Sequence, residues 1–222
     1  MKGNVIMKKR TRTHILVPLM LAAILLPVLA IAGITAKEII EKVQGRYDDL
    51  GDAVIVFTQT VRFKVSKAEQ LTRGTLYFKK GNKYRIESDN RTVVTDGKTS
   101  WSFNGQTNQV VVDHYKQEAH SLSPEQLLVK YPQNYYSTLI GEEKVGTDNC
   151  HVLKLTPKED NSFTTALKIW VSTKWLIRKV EVTDINGALT TYVIERIEID
   201  KGIADSRFEF KIPPAADVID LR

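Results

Sequence analysis

Two carboxylates and two imidazoles lie close together at Asp113-His114 and Glu118-x-His120, residue types that serve as general bases, proton shuttles or metal ligands. Metal and acid–base sites, however, place such groups at recurring spacings, and this cluster matches none of them. It reads as a solvated loop. His14 and His151 stand apart from it, and the chain has no G-x-S-x-G, no H-E-x-x-H, no phosphate loop and no C-x-x-C. Cys150, the one cysteine, has no disulfide partner and reads as a small buried side chain in a strand. Asp96-Gly97-Lys98 reads as a type I′ hairpin turn rather than a site. These residues point away from an enzyme and imply no cofactor and no metal.

What the chain holds in excess is apolar and aromatic side chains at strand positions. Phe57, Phe63, Leu76, Phe78, Tyr84, Ile86, Trp101, Phe103, Ile169, Trp170 and Val171 exceed what one thin sheet obviously hides. A packed core accounts for any one of them. Together they also suit the wall of a cavity for a greasy ligand.

The elements that must hold these side chains follow from periodicity. Thr35-Ala36-Lys37-Glu38 fits a capping box, and Ile39, Ile40, Val43, Tyr47 and Leu50 recur at helical spacing up to Gly51. From Asp52 the period becomes two, with Ile55, Phe57, Val61, Phe63 and Val65 on one side of a long strand. Strand runs follow at 71–79, 83–88, 91–95, 99–103 and 109–114, separated by Lys80-Gly81-Asn82, Asp89-Asn90, Asp96-Gly97-Lys98 and Asn104-Gly105. Turns this short force antiparallel pairing, because a parallel crossover needs many more residues. Ser123-Pro124-Glu125-Gln126 then starts a short helix with Leu127, Leu128 and Tyr131, stopped by Pro132. A weakly helical or irregular stretch with Tyr135, Tyr136, Leu139 and Ile140 leads to Gly141. Strands return at 150–156, 165–172, 176–183 and 189–199, and a closing strand at 207–211 precedes Pro213-Pro214. The expectation is a mainly β (α+β) fold: about ten or eleven strands in one large antiparallel sheet that curls, with helices at the start and middle to cover it.

Charge and hydropathy add compartment. The formal net charge is +6, yet Lys2, Lys8, Lys9, Arg10 and Arg12 all precede an apolar run at 15–32, and no acid occurs before Glu38. Beyond residue 32 the chain is nearly neutral, without the basic footprint of a nucleic-acid binder. The basic start, the apolar run and the Ala30-x-Ala32 end read as a cleaved signal at 1–32, followed by a single domain at 33–222. A retained membrane anchor is the competing reading, weakened by Pro18 and Pro27 inside the run.

The order and spacing of these pieces resemble the LolA family of periplasmic lipoprotein carriers along nearly the whole chain beyond the signal. The resemblance is carried by Phe57-Thr58-Gln59, by Gly74-Thr75-Leu76-Tyr77-Phe78, and above all by Val94-Thr95-Asp96-Gly97-Lys98-Thr99-Ser100-Trp101-Ser102-Phe103. Pro124-Glu125-Gln126-Leu127-Leu128, Leu155-Thr156-Pro157-Lys158, Phe208-x-Phe210-x-x-Pro213-Pro214 and Asp217-Val218-Ile219 complete it. It implies an incomplete barrel whose concave face, with Phe57, Leu76, Phe78, Tyr84, Ile86, Trp101, Phe103 and Ile169, contacts acyl chains. Ile40, Val43, Tyr47, Leu127 and Leu128 would form a helical lid. It further implies a monomeric periplasmic chaperone with acylated lipoproteins as cargo, an inner-membrane ABC transporter of the LolCDE kind as donor, and an outer-membrane receptor. Where better-studied members carry Arg-Pro before the third strand, a position associated with cargo transfer, this chain has Lys80-Gly81. The alternative within the same architecture is a lipid or glycolipid carrier, or an envelope-stress sensor.

Overall fold

The computed structural model describes Gly3 and residues 33–115, 135–158 and 162–222. The expected signal at 1–32, Gly3 apart, and the expected mid-chain helix with Leu127 and Leu128 lie outside these residues. Residues 34–222 form one compact unit, which contains every strand pairing and both apolar core clusters found among the described residues.

That unit opens with helix α1 (Ala36–Asp48). Its start is the expected capping box: the Thr35 hydroxyl accepts from the Glu38 N–H at 3.2 Å, and the Glu38 carboxylate accepts from the Thr35 N–H at 2.8 Å. Twelve strands follow among the described residues. They are β1 (Asp52–Arg62), β2 (Glu69–Lys79), β3 (Lys83–Ser88), β4 (Arg91–Asp96), β5 (Thr99–Asn104), β6 (Gln109–His114), β7 (Tyr135–Val145), β8 (Asp148–Pro157), β9 (Thr164–Ser172), β10 (Ile177–Asp184), β11 (Leu189–Ile199) and β12 (Asp217–Asp220). They make one open, curved sheet in the order β12-β6-β5-β4-β3-β2-β1-β11-β10-β9-β8-β7. Two meanders of hairpins are thus joined through β1 and β11, and every pairing is antiparallel except β12 against β6.

The ladder register fixes two faces, because directly opposed residues point the same way. On one, the helix face, lie Phe57, Leu76, Ile86 and Val93 with Tyr192, Val180, Ile169 and Leu153 further along. Helix α1 covers its β7–β11 half: Ile39, Ile40 and Val43 are buried against Leu153, Leu155, Leu167, Ile169, Val171, Ile177 and Val180. The other is the strap face. Across it runs the segment after β11, which forms a 3-10 turn at Asp205–Phe208 lying on β3 and β4. Phe208 is buried there, and Phe210 stacks on Trp101 at 6.3 Å and meets Phe103 at 6.4 Å between ring centroids.

Polar contacts fasten the strap. The buried Asp52 carboxylate accepts from the N–H groups of Lys201 and Ile203 at 2.7 and 2.9 Å. Lys79 Nζ donates to the Ile203 carbonyl, and Asp205 receives both Lys79 and Lys83, at 2.6 and 2.9 Å. The Arg207 guanidinium sits 3.9 Å over the Tyr77 ring.

Several expectations are corrected. The irregular stretch at Tyr135–Ile140 is instead the start of edge strand β7, with Tyr135, Ser137 and Leu139 turned to the helix face. A register shift between Leu139 and Gly141 breaks the alternation there and hides it from a pattern search. The closing strand at 207–211 is the strap, whose F-x-F alternation follows from one side lying on a sheet rather than from strand pairing. The strand that does close the sheet is β12, and it lies parallel on the β6 edge. Phe63 and Val65 leave β1 for an exposed hairpin tip. At Asp96-Gly97-Lys98 only Gly97 has a positive φ, +93°, which is the pattern of a type II′ turn and not of the expected I′. The Gly97 turn nests on the β2–β3 turn so closely that a Cβ there would meet the Gly81 carbonyl oxygen at 2.4 Å.

The Lys79 and Lys83 ammonium groups hold the Asp205 carboxyl at about 2, down from an ordinary 3.8. A depressed carboxyl stabilises the fold above its unfolded value and loses that contribution as pH falls through its folded value. Hydrogen exchange at residues 201–210 is therefore expected to rise between pH 3.8 and about 2. Asp205→Asn should show fast exchange in the strap already at neutral pH and no further acid step from this group.

Candidate lipid-binding face

The part of the helix face on β1–β4 differs from the part under α1. Its side chains come from four strands in cross-strand rows: Ile55, Leu76, Ile86 and Val93 in one, Phe78 and Tyr84 in the next, Phe57 with Gly74 in the third. Four strands at their usual spacing and three rows two residues apart span a surface of about 14 Å each way. Phe57, Leu76, Phe78, Tyr84, Ile86 and Val93 are each only half-buried, whereas their counterparts under α1 are buried. The sheet thus presents a contiguous apolar area beside a sealed core.

The seam between the two halves is aromatic. Phe57 approaches Tyr192 at 6.1 Å between centroids, and the Tyr192 hydroxyl accepts from Gln59 Nε2 at 3.1 Å. Burial pushes the Tyr192 phenol up to about 12, so it stays neutral at ordinary pH. Gly74 makes room for the Phe57 ring: a Cβ on it would meet Phe57 Cζ at 2.6 Å and the Glu87 carbonyl oxygen at 3.0 Å. The glycine of the G-x-L piece is there because an aromatic ring lies across its strand.

The register does not bring together all eight residues expected to line a cavity. Phe57, Leu76, Phe78, Tyr84 and Ile86 share the β1–β4 part of the helix face. Ile169 shares that face but is buried under α1. Trp101 and Phe103 point the other way, opposite Val94 and Thr92, into the strap-face core with Phe210. Of the expected lid, Ile40 and Val43 are buried in the α1 core and Tyr47 packs beside them, its phenol raised to about 12 by that burial. Lys80 is exposed in the β2–β3 turn. Val93, Gln59 and Tyr192 were not foreseen as part of the face, although Gln59 stands in the F-x-Q piece and Tyr192 in the alternating run of β11.

Among the described residues, the titratable candidates lie on β6 and β8. Asp113 and His114 end β6, where the Asp113 carboxylate accepts from the His114 N–H at 2.7 Å, and Glu118 and His120 lie outside the described residues. Cys150 is buried with Val152 and Trp170 on the strap face of the β7–β11 half, the small buried strand side chain expected of it. Desolvation there pushes its thiol upward.

Residues 52–211 match the family described as outer membrane lipoprotein carrier protein LolA. The chain belongs to the LolA family. Among its relatives are the outer-membrane lipoprotein carrier proteins of Pasteurella multocida, 26% identical over 75% of this chain and 79% of that one, and of Glaesserella parasuis, 25% identical over 82% and 86%. A solved structure of an uncharacterized conserved protein from Thermus thermophilus shares the fold, with a TM-score of 0.54 at 14% identity over 83% of this chain and 98% of that one. In this LolA-family chain the matched region spans β1 through the strap, and so contains the half-buried apolar rows and the residues that shape them.

The two faces make opposite demands on substitution. Gly74→Val should displace the Phe57 ring and destabilise the fold by about 1–3 kcal/mol, read as a lowered denaturation midpoint. Trp101→Ala should cost about 2 kcal/mol or more of stability through the strap core while leaving the β1–β4 apolar rows intact.

Proposed function

We propose that this chain is a periplasmic carrier that binds the acyl chains of lipoproteins released from the inner membrane and conveys them to the outer membrane. The observation that carries this reading is the half-buried surface of Phe57, Leu76, Phe78, Tyr84, Ile86 and Val93 beside the α1-sealed core, in a member of the LolA family. An acyl chain crossing water exposed forfeits about 0.8 kcal/mol per methylene, so a carrier has to offer a substitute solvent of matching size. An apolar area about 14 Å on a side accommodates several chain segments lying across the strands.

The signal at 1–32 would deliver the remaining domain to the periplasm, where it acts as a monomer. Loading draws on an inner-membrane ABC transporter of the LolCDE kind, and unloading on an outer-membrane acceptor. Lys80, where other members carry arginine, is the position at which transfer to that acceptor would be tuned. Cargo enters over Leu76 and Ile86, next to the Phe57–Tyr192 seam, without first dismantling the core under α1.

Leu76→Glu tests this directly. A carboxylate in the middle of the apolar rows should lower the affinity for a fluorescent fatty acid by about a hundredfold, with the melting curve still cooperative. Trp101→Ala, on the opposite face, should keep wild-type affinity despite its lower stability. Equal binding by Leu76→Glu and wild type would remove this face as the acyl site. Native mass spectrometry of protein recovered from an envelope fraction names the cargo: a co-purifying lipidated protein supports lipoprotein transport, and a free lipid or glycolipid alone points to a different cargo on the same surface.

A further inference from the structure

The β1–β2 hairpin outruns the sheet on one side. β3 stops pairing at Ser88 opposite Gly74, so residues 69–73 of β2 have no β3 partner, an overhang of about 17 Å. Its tip is a closed turn: the Phe63 N–H donates to the Ala68 carbonyl and the Lys67 N–H to the Phe63 carbonyl, both at 3.0 Å. Lys67 takes a φ of +58° to close it. The backbone bonds within the tip leave its side chains outside, and Val65 is 92% exposed.

A second turn stands against this tip. Gly187, between β10 and β11, lies so close to the Lys64 side chain that a Cβ there would meet Lys64 Cδ at 2.6 Å. Ile185 in the same turn is 60% exposed, and its N–H donates to the Phe163 carbonyl at 3.0 Å. Phe63, Val65, Phe163 and Ile185 are thus exposed on turns at one end of the sheet, where the Lys64 side chain packs on the Gly187 turn and the Ile185 N–H bonds the Phe163 carbonyl. Single exposed apolar residues are ordinary, whereas a group of them on adjoining turns marks a contact surface. The tip carries a net positive charge: within residues 62–69, Glu69 is paired with Arg62 at 2.7 Å, which leaves Lys64 and Lys67 as a net positive pair. In the neighbouring turn the Asp184 carboxylate is engaged by the N–H groups of Asn186 and Ala188 at 2.9 and 2.8 Å.

We propose that this rim docks reversibly on a lipid bilayer carrying anionic headgroups, with Phe63, Val65 and Ile185 entering the interface and Lys64 and Lys67 meeting the headgroup phosphates. Apolar side chains beside lysines are the pairing that such a surface rewards, and two weak signals together give binding that can be released. A carrier held this way stands end-on to the membrane on its longest hairpin. The proposal concerns the outer rim rather than the acyl surface, and holds whatever cargo that surface takes.

Flotation of the protein recovered from an envelope fraction, with vesicles of phosphatidylcholine alone or mixed with phosphatidylglycerol, tests it. The protein should float with the mixed vesicles, much less with phosphatidylcholine alone, and less as salt is raised. Phe63→Ser with Val65→Ser, and separately Lys64→Glu with Lys67→Glu, should each weaken partitioning by about tenfold or more, the lysine pair also erasing the phosphatidylglycerol preference. Both double variants should bind the fluorescent fatty acid as wild type does, which separates failure of the rim from failure of the acyl site. Absence of wild-type flotation, or flotation of both double variants at the wild-type level, overturns the proposal, as does recruitment only to vesicles that contain a membrane protein.

Discussion

The pairing of β1 with β11 is the interaction on which the rest of the molecule depends. It is the seam between two meanders, one running outward from β1 through β6 and the other from β11 through β7. Each meander closes by local turns, but this seam joins residues nearly the whole domain apart, from Ala53 opposite Ile199 to Arg62 opposite Leu189. Long-range pairing carries the largest loop-closure cost, so the seam needs its own adhesive. Side chains supply it: Phe57 against Tyr192, and the Gln59 to Tyr192 hydrogen bond. A bulge between Val56 and Phe57 falls at the same place, where extra local twist bends a strand. The surface proposed to hold acyl chains therefore begins at the point where the two halves of the fold are sewn together.

The division of labour between the faces follows from what each is given for cover. The strap face of β2–β6 is closed by a segment of the same chain that enters immediately after β11, anchored at one end by Asp52 and Asp205 and at the other by Phe208 and Phe210. Trp101, Phe103, Val94, Val110 and Val112 can be consistently apolar there without exposing a sticky back. Helix α1 is only 13 residues long and covers the β7–β11 half of the other face. One short helix has too little apolar stripe for a sheet of this width.

Most of this architecture is legible in the residues because its turns are short and chemically plain. Thr35 and Glu38 mark the helix start, and Asn-Gly and Asp-Gly pairs mark the hairpins. The face assignment is legible as well. A two-residue turn at Gly97-Lys98 sets Trp101 opposite Val94, and one at Asp89-Asn90 sets Val94 opposite Arg85, which puts Trp101 on the other side from Ile86. Counting parity through those turns separates Trp101 and Phe103 from Tyr84 and Ile86, whereas selecting residues by hydrophobicity mixes the two faces. The strap was harder to see, since Phe208-x-Phe210 alternates whether it pairs with a strand or lies on one. The edge strand β7 was obscured by its bulge at Gly141, where one extra residue reverses the alternation.

A carrier of hydrocarbon must avoid two extremes, and the asymmetry of the helix face addresses both. Were α1 long enough to bury all of that face, cargo would have to displace contacts of the kind made by Ile39, Ile40 and Val43. Each such side chain is worth about 1.5–3 kcal/mol when fully buried, and together they would cancel much of what an acyl chain gains. Were neither half covered, the apolar area would exceed what a soluble monomer tolerates, and sheets would associate face to face. Sealing β7–β11 gives the fold buried contacts that, on the proposed reading, cargo does not touch. On the proposed reading the rows from Phe57 to Val93 exchange water for hydrocarbon, so that affinity would be set by the chains that lie on them and release would need a better apolar surface nearby. In this arrangement α1 bounds the proposed site on its β7–β11 side.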